Sequence, residues 1–193
     1  MKRFVLLAFA CLAATAAGAD GAVSRLLTPA DAAKLEAYEA TRAKAIADAR
    51  AGGSKEDVAV LDRALSGTLQ NFHAGFDARG NWRCRVIKLG KTEPLLVVYP
   101  WFSCRTIADD YSLKLEKTSG SQRTSGYFYD GGETRMFYLG ALHYGDEKPM
   151  RYGVDQKRNM VAYAFALGPK RMRLEFPEPE YESLLDVMEM ERR

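Results

Sequence analysis

A chain of 193 residues, 47% hydrophobic and 27% charged, has an ordinary globular composition, which excludes collagen-like, coiled-coil and disordered classes. Its length suffices for one well-buried domain without a metal staple. The formal charge is +3 and offers no clustered positive excess of the kind nucleic-acid binding needs.

Lys2 and Arg3 precede an apolar run over residues 4–14, and Ala17-Gly18-Ala19 follows with small residues at the cleavage spacing. The run is too short to span a bilayer, and the order of charge, apolar core and small exit predicts a signal peptide over 1–19. Cleavage is expected between Ala19 and Asp20, giving a periplasmic or secreted chain. A lipid anchor on Cys11 is the competing reading; Ala8-Phe9-Ala10 lacks the aliphatic residue such anchors carry. Removal of 1–19 takes two of the 28 basic residues and none of the 25 acids, leaving a formal charge of +1. Cys84 and Cys104 remain, and an even pair in an oxidising compartment predicts a disulfide, with two free buried thiols as the alternative. A loop of this span is stabilised by about 3 kcal/mol on closure.

Residues 24–67 read as a helical hairpin. Thr28, Pro29 and Asp31 mark a helix start, and Leu35, Tyr38, Ala45 and Ala49 follow helical spacing with Arg42 interrupting the stripe. Gly52-Gly53 is expected to end this helix through positive φ. Ser54 caps a second helix carrying Val58, Leu61 and Leu65, which Gly67 stops. Residues 69–79 read as a linker. From Trp82 the period changes to 2, and residues 80–190 read as an antiparallel barrel-like domain of seven or eight strands. Trp82, Cys84 and Val86 alternate with Arg83 and Arg85, Pro100 interrupts an apolar run over 95–102, and Tyr111, Leu113 and Leu115 alternate with polar residues. Gly131-Gly132 marks a hairpin, and residues 160–167 and 171–176 alternate about a Gly168-Pro169 turn. Residues 184–190 fit either a strand or a helix. The predicted class is α+β, with two helices packed on the barrel.

No nucleophile elbow, HExxH, phosphate loop or dinucleotide fingerprint is present, and no metal or cofactor is expected. The small polar stretch 117–126 centres on Arg123, a planar donor suited to an anion or carboxylate. Ser121 and Gln122 beside it, with Arg83 and Arg85 on one strand face, complete the candidate binding residues. The polar stretch also reads as a tight turn, and the two strand arginines as a solvated face. Tyr99, Trp101, Tyr127, Tyr129, Tyr138 and Tyr163 either line a cavity or fill a small barrel.

The segments Trp82–Gly90, Val98–Cys104, Gly120–Arg123, Tyr138–Ala141, Glu182-Ser183 and Asp186-Val187 resemble the domain-of-unknown-function family 4893. The resemblance implies a small exported protein of a Gram-negative bacterium and carries over no catalytic residues. Gly80-Asn81-Trp82 with Cys84 and Cys104 is similar, more partially, to lipocalin-like periplasmic protease-inhibitor barrels, from which the helical lead-in departs. The expected function is non-enzymatic binding of a protein, peptide or envelope component. The alternatives are a hydrolase built near Ser121, Arg123 and His143, and a structural envelope protein.

Overall fold

The computed structural model describes residues 23–108 and 112–192. The expected signal peptide, Cys11 and Tyr111 lie outside the described residues.

Three helices come first: α1 (Pro29–Glu36), α2 (Tyr38–Gly52) and α3 (Lys55–Leu65). The Thr28 hydroxyl accepts from the Asp31 amide at 3.2 Å, and the Ser54 hydroxyl accepts from the Asp57 amide at 3.1 Å, so both expected caps form. The first expected helix is broken at Ala37, giving three helices where two were read. No Gly or Pro marks that break. Its cause is tertiary: the kink tucks Tyr38 beneath the helices, its ring 4.7 Å from that of Tyr163. Gly53 has φ −80°, so the expected positive φ is absent. Glycine is needed there for room, because a Cβ on Gly53 would lie 2.7 Å from Leu96 Cδ2 and one on Gly52 would lie 2.6 Å from Leu95 Cδ1.

The strands are β1 (Gly80–Gly90), β2 (Leu96–Val98), β3 (Phe102–Ala108), β4 (Leu113–Lys117), β5 (Gln122–Asp130), β6 (Met136–Tyr144), β7 (Asn159–Ala166), β8 (Arg171–Pro177) and β9 (Ser183–Arg192). Strand follows strand in antiparallel order from β3 to β9, and β9 returns to pair with β1 from Trp82↔Arg192 to Gly90↔Ser183. Eight strands therefore close a barrel, and β2 is an additional short strand. The first half of β1 pairs with β3 and the second half with β2. Pro100, which has no N–H to donate, falls in the gap between those two strands. Residues 184–190 fall within β9.

Alternation sorts the side chains into two cores. Trp82, Cys84, Leu115, Phe128, Tyr138, Met172, Leu174, Phe176 and Met190 fill the barrel. The Cys84–Cys104 disulfide joins β1 to β3 within this core, with Cα atoms 5.8 Å apart. Gly140 makes room for Tyr138, whose hydroxyl a Cβ at that position would overlap. On the outer face Ile87, Leu89, Phe137, Leu139, Val161, Phe165, Leu185 and Val187 meet Leu35, Ile46, Ala49 and Leu61 of the helices.

The expected linker, residues 69–79, is packed rather than spacing two units. Phe76 stacks at 6.4 Å from Trp82, Phe72 meets Phe76 at 5.4 Å, and Arg192 lies 4.6 Å over the Trp82 ring. Arg192 also donates to Arg79 O at 2.9 Å. These groups plug the end of the barrel where β1 begins.

A buried ionic cluster ties the helices to the barrel. Glu175 on β8 is fully buried on the outer face. It accepts from Tyr38 Oη at 2.8 Å and Arg42 Nε at 2.7 Å. Arg173 Nε sits 2.7 Å from Glu175 Oε1 without hydrogen-bond alignment, while its Nη1 donates to Leu65 O at 2.6 Å at the end of α3. Burial pushes the Tyr38 phenol well up and the Arg173 guanidinium down. Burial also opposes the charge on Arg42, but Glu175 outweighs it and raises the pKa. Arg42, the interruption in the apolar stripe of α2, is thus the helix's partner for the barrel. Truncating Glu175→Ala would leave Arg173 buried without its acid, at a cost of about 3–5 kcal/mol. Urea melts at neutral pH should show that loss; a change below about 1 kcal/mol would show that the cluster is dispensable.

Candidate functional site

The opposite end of the barrel is open. β1 carries Lys88 on the inward face after Trp82, Cys84 and Val86; β4 ends with Lys117 after Leu113 and Leu115; β9 carries Asp186 near the start of its ladder, before Met188 and Met190. Three apolar strand faces thus end in a charge at the same rim. They border a cavity of about 210 Å³ whose apolar wall is Val86, Phe102, Leu142, Met160 and Met188, with Tyr99, Gln122 and Thr124 beside them.

The charges are unevenly satisfied. Lys88 donates to Glu182 at 2.9 Å and sits opposite Asp186 in the β1–β9 register. Burial works against its charge, but Glu182 and Asp186 together raise its pKa. Among the described residues Lys117 has no acid partner. Its Nζ donates to Ser119 O at 2.9 Å and Gln122 O at 2.6 Å and lies 4.1 Å from the Phe102 ring centroid. Burial, helped by the Arg123 charge, pushes Lys117 down to about 8. Asp186 is 7% exposed, and its Oδ1 accepts no hydrogen bond. The Ser183 hydroxyl lies close enough to favour the carboxylate electrostatically without hydrogen-bond alignment. Burial dominates and pushes Asp186 up to about 6, against the pull of Ser183 and Lys88.

Three expected residues reach this rim: Ser121, Gln122 and Arg123 all border the cavity. Arg123 Nε donates to Gly120 O at 2.9 Å, where Gly120 has φ +87°, so this side chain also holds the turn. Glu116 pairs with Arg105 and Lys114 instead of Arg123. Arg83 and Arg85 are elsewhere. They face outward, pair with Glu191 and with Glu189 respectively, and sandwich Trp101 at 4.4 and 4.5 Å. Of the six aromatics, Tyr99 borders the cavity, Tyr138 fills the barrel, Tyr163 lies under the helices, and Tyr127 and Tyr129 border a groove on the outer face. Sequence reasoning missed Lys88, Lys117 and Asp186, although each continues an apolar period-2 face, and that continuation was the available signal.

The proposed hydrolase residues do not form one site, although Arg123 and His143 are opposite one another in the β5–β6 register. Ser121 borders the barrel cavity, whereas His143 is buried on the outer face with Nε2 3.3 Å from Ser125 Oγ and Nδ1 3.2 Å from Tyr144 O. Ser125 and Gly126 lie in ladders to both β4 and β6, which engages the backbone amides an oxyanion hole would use. Among the described residues no cluster of His, Cys, Asp and Glu is arranged to hold a metal, and no helix is long and apolar enough to cross a membrane.

A family model described as "Domain of unknown function (DUF4893)" matches residues 24–190. The chain belongs to this family. The match takes in the helices, the barrel and every residue of the open rim. Comparison with curated proteins and with solved structures finds no match.

Asp186 supplies a direct test of the rim's electrostatics. It holds its proton more tightly folded than unfolded, so its contribution to stability is intact below about pH 4 and declines as the pH rises to about 6. The displacement of roughly two pKa units corresponds to about 3 kcal/mol at neutral pH. Asp186→Asn should therefore raise the melting temperature above pH 6 and lose that advantage near pH 4. An advantage equal at both pH values would show that the carboxylate is not strained.

Proposed function

We propose that this is an exported binding protein that takes part of its ligand into the open end of the barrel. The observation that carries the reading is the asymmetry of the two ends: one is covered by Phe72, Phe76 and Arg192, with an open groove past Leu113 and Met136 beside them, while the other keeps an apolar cavity rimmed by buried charges. Ligand sites combine an apolar wall with a few convergent polar groups in this way. A barrel built only for stability would gain by replacing Lys117 and Asp186 with apolar side chains. The ligand is a small molecule, or the exposed end of a protein, peptide or envelope component.

Export rests on the residues of the N-terminal segment and agrees with the disulfide in the barrel core. Expression of the full chain in a Gram-negative host should yield a periplasmic protein whose intact mass begins at Asp20. A cytoplasmic product of full mass, or a lipid-modified Cys11, would contradict it.

The binding reading is tested by ligand-observed NMR with a chemically diverse fragment set, run on the parent and on Met160→Trp, which fills the cavity. Hits that the tryptophan abolishes are expected. If no fragment distinguishes the two proteins, the cavity is not a binding site.

A further inference from the structure

The rim is polarised as well as charged. On the β4–β5 side stand Lys117 and Arg123, whose hydrogen-bond partners are backbone carbonyls of their own turn. On the β9 side stands Asp186, whose carboxylate borders the cavity and whose enclosed Oδ1 accepts no hydrogen bond. Lys88 and Glu182 answer one another between these walls. Apolar side chains from β1, β3, β6, β7 and β9 form the floor: Val86, Phe102, Leu142, Met160 and Met188. A ligand matching all three surfaces needs an anionic end for the cationic wall, an N–H donor for the Asp186 carboxylate, and an apolar group between them.

We infer that the open end of the barrel, the binding site of the reading above, is a receptor for α-amino-acid chemistry: a carboxylate with an adjacent amine or amide N–H and an apolar side chain. That chemistry comes as a free amino acid or as the last residue of a peptide. In the bound form the ligand carboxylate accepts from Lys117 and Arg123, its nitrogen donates to the Asp186 carboxylate, and its side chain lies on Met160 and Met188.

The site also dictates a pH profile. The charged and titratable groups facing it are Lys88 and Tyr99 from β1 and the segment after β2, Lys117 from β4, Arg123 from β5, and Glu182 and Asp186 at β9. Lys157, Arg158, Glu180 and Tyr181 border the adjoining outer recess. Two of the groups facing the cavity have displaced pKa values, Asp186 upward and Lys117 downward, both through burial. Protonation of Asp186 below about pH 6 removes the acceptor's charge, and deprotonation of Lys117 above about pH 8 removes the anion's counter-charge. Affinity for an amino acid is then highest between those values. A plain organic anion, repelled by the Asp186 carboxylate, binds more weakly at each step as the pH rises.

Isothermal titration calorimetry at pH 7 on the disulfide-intact protein decides the matter, using leucine, glycyl-leucine, leucinamide and 4-methylpentanoate. Leucine or glycyl-leucine should bind at least about tenfold more tightly than leucinamide, which lacks the carboxylate, and than 4-methylpentanoate, which lacks the nitrogen. Leucine alone binding identifies a free amino acid; glycyl-leucine alone identifies a peptide end. Equal binding by 4-methylpentanoate or leucinamide, or binding by none of the four, overturns the inference. Fragment hits abolished by Met160→Trp together with no amino-acid binding would remove this inference and leave the binding reading standing. The absence of both would remove the two together. Lys117→Met should weaken the preferred probe at least about tenfold. Arg123→Lys, which keeps the charge but loses the planar fork, guards against a turn disturbed by the first change and should weaken it by several-fold. Unchanged affinity in both variants would contradict the assigned carboxylate site.

Discussion

Everything in this molecule depends on the pairing of β1 with β9. That single ladder, running from Trp82↔Arg192 to Gly90↔Ser183, converts an open sheet into a barrel and leaves no long free edge among the eight closing strands. Closure separates two faces that a flat sheet would leave ambiguous. It gives the inner face to Trp82, Tyr138, Phe176, Met172, Met188 and Met190, and the outer face to the side chains beneath the helices. It also brings Lys88 opposite Asp186, so the same pairing that builds the scaffold assembles one wall of the open rim. Pro100 completes the arrangement from the other side. By dividing β2 from β3 it ends the β1–β2 ladder at Tyr99, whose amide donates to Val86 O at 3.0 Å and whose side chain borders the cavity.

The protein contains two kinds of buried charge, and they differ in satisfaction. Around Glu175 a phenol and two guanidiniums converge, and around Asp31 the Tyr152 hydroxyl, the Thr28 hydroxyl and the Asn159 amide all donate. Burial would raise the Asp31 pKa, but those donors outweigh it and hold the carboxyl below its usual range. These clusters fix where α1, α2 and the 145–159 segment sit. At the rim Lys117 is held down and Asp186 held up, so each is penalised in its charged form, as Arg173 is beside Glu175, while Lys88 is favoured by its acids. Folding alone gives no reason to retain such groups at the end of an apolar core, whereas a ligand that supplies the missing partners does.

Much of this was readable from residues. The caps at Thr28 and Ser54, the Gly131-Gly132 hairpin, the alternation in β7 and β8, the cysteine pair and the interruption at Pro100 all carry local signals that the fold obeys. The break at Ala37 was not readable, because no local residue causes it; Tyr38 is drawn inward by Tyr163 and Glu175, which are remote in sequence. Gly52 and Gly53 were assigned the wrong reason, since close approach of Leu95 and Leu96 is invisible before the chain folds. The site was half legible. Small residues around Arg123 drew attention to the turn, but the rim is completed by Lys88 and Asp186 from strands about a hundred positions apart. A single lysine or aspartate at the end of an apolar period looks like a strand terminus until closure places it beside its counterpart. Arg83 and Arg85 misled for the opposite reason: adjacent on one face, they answer Trp101 and two glutamates outside the barrel.

The central claim is that one end of the barrel is packed and the other is open to a ligand. Methionine-methyl NMR in the presence of a neutral soluble paramagnetic agent reads both ends in one spectrum, because Met172 and Met190 lie in the packed core while Met160 borders the cavity. The account predicts strong broadening of the Met160 methyl signal and sharp signals for Met172 and Met190. Equal broadening of all three, or a Met160 signal as protected as the other two, would contradict it.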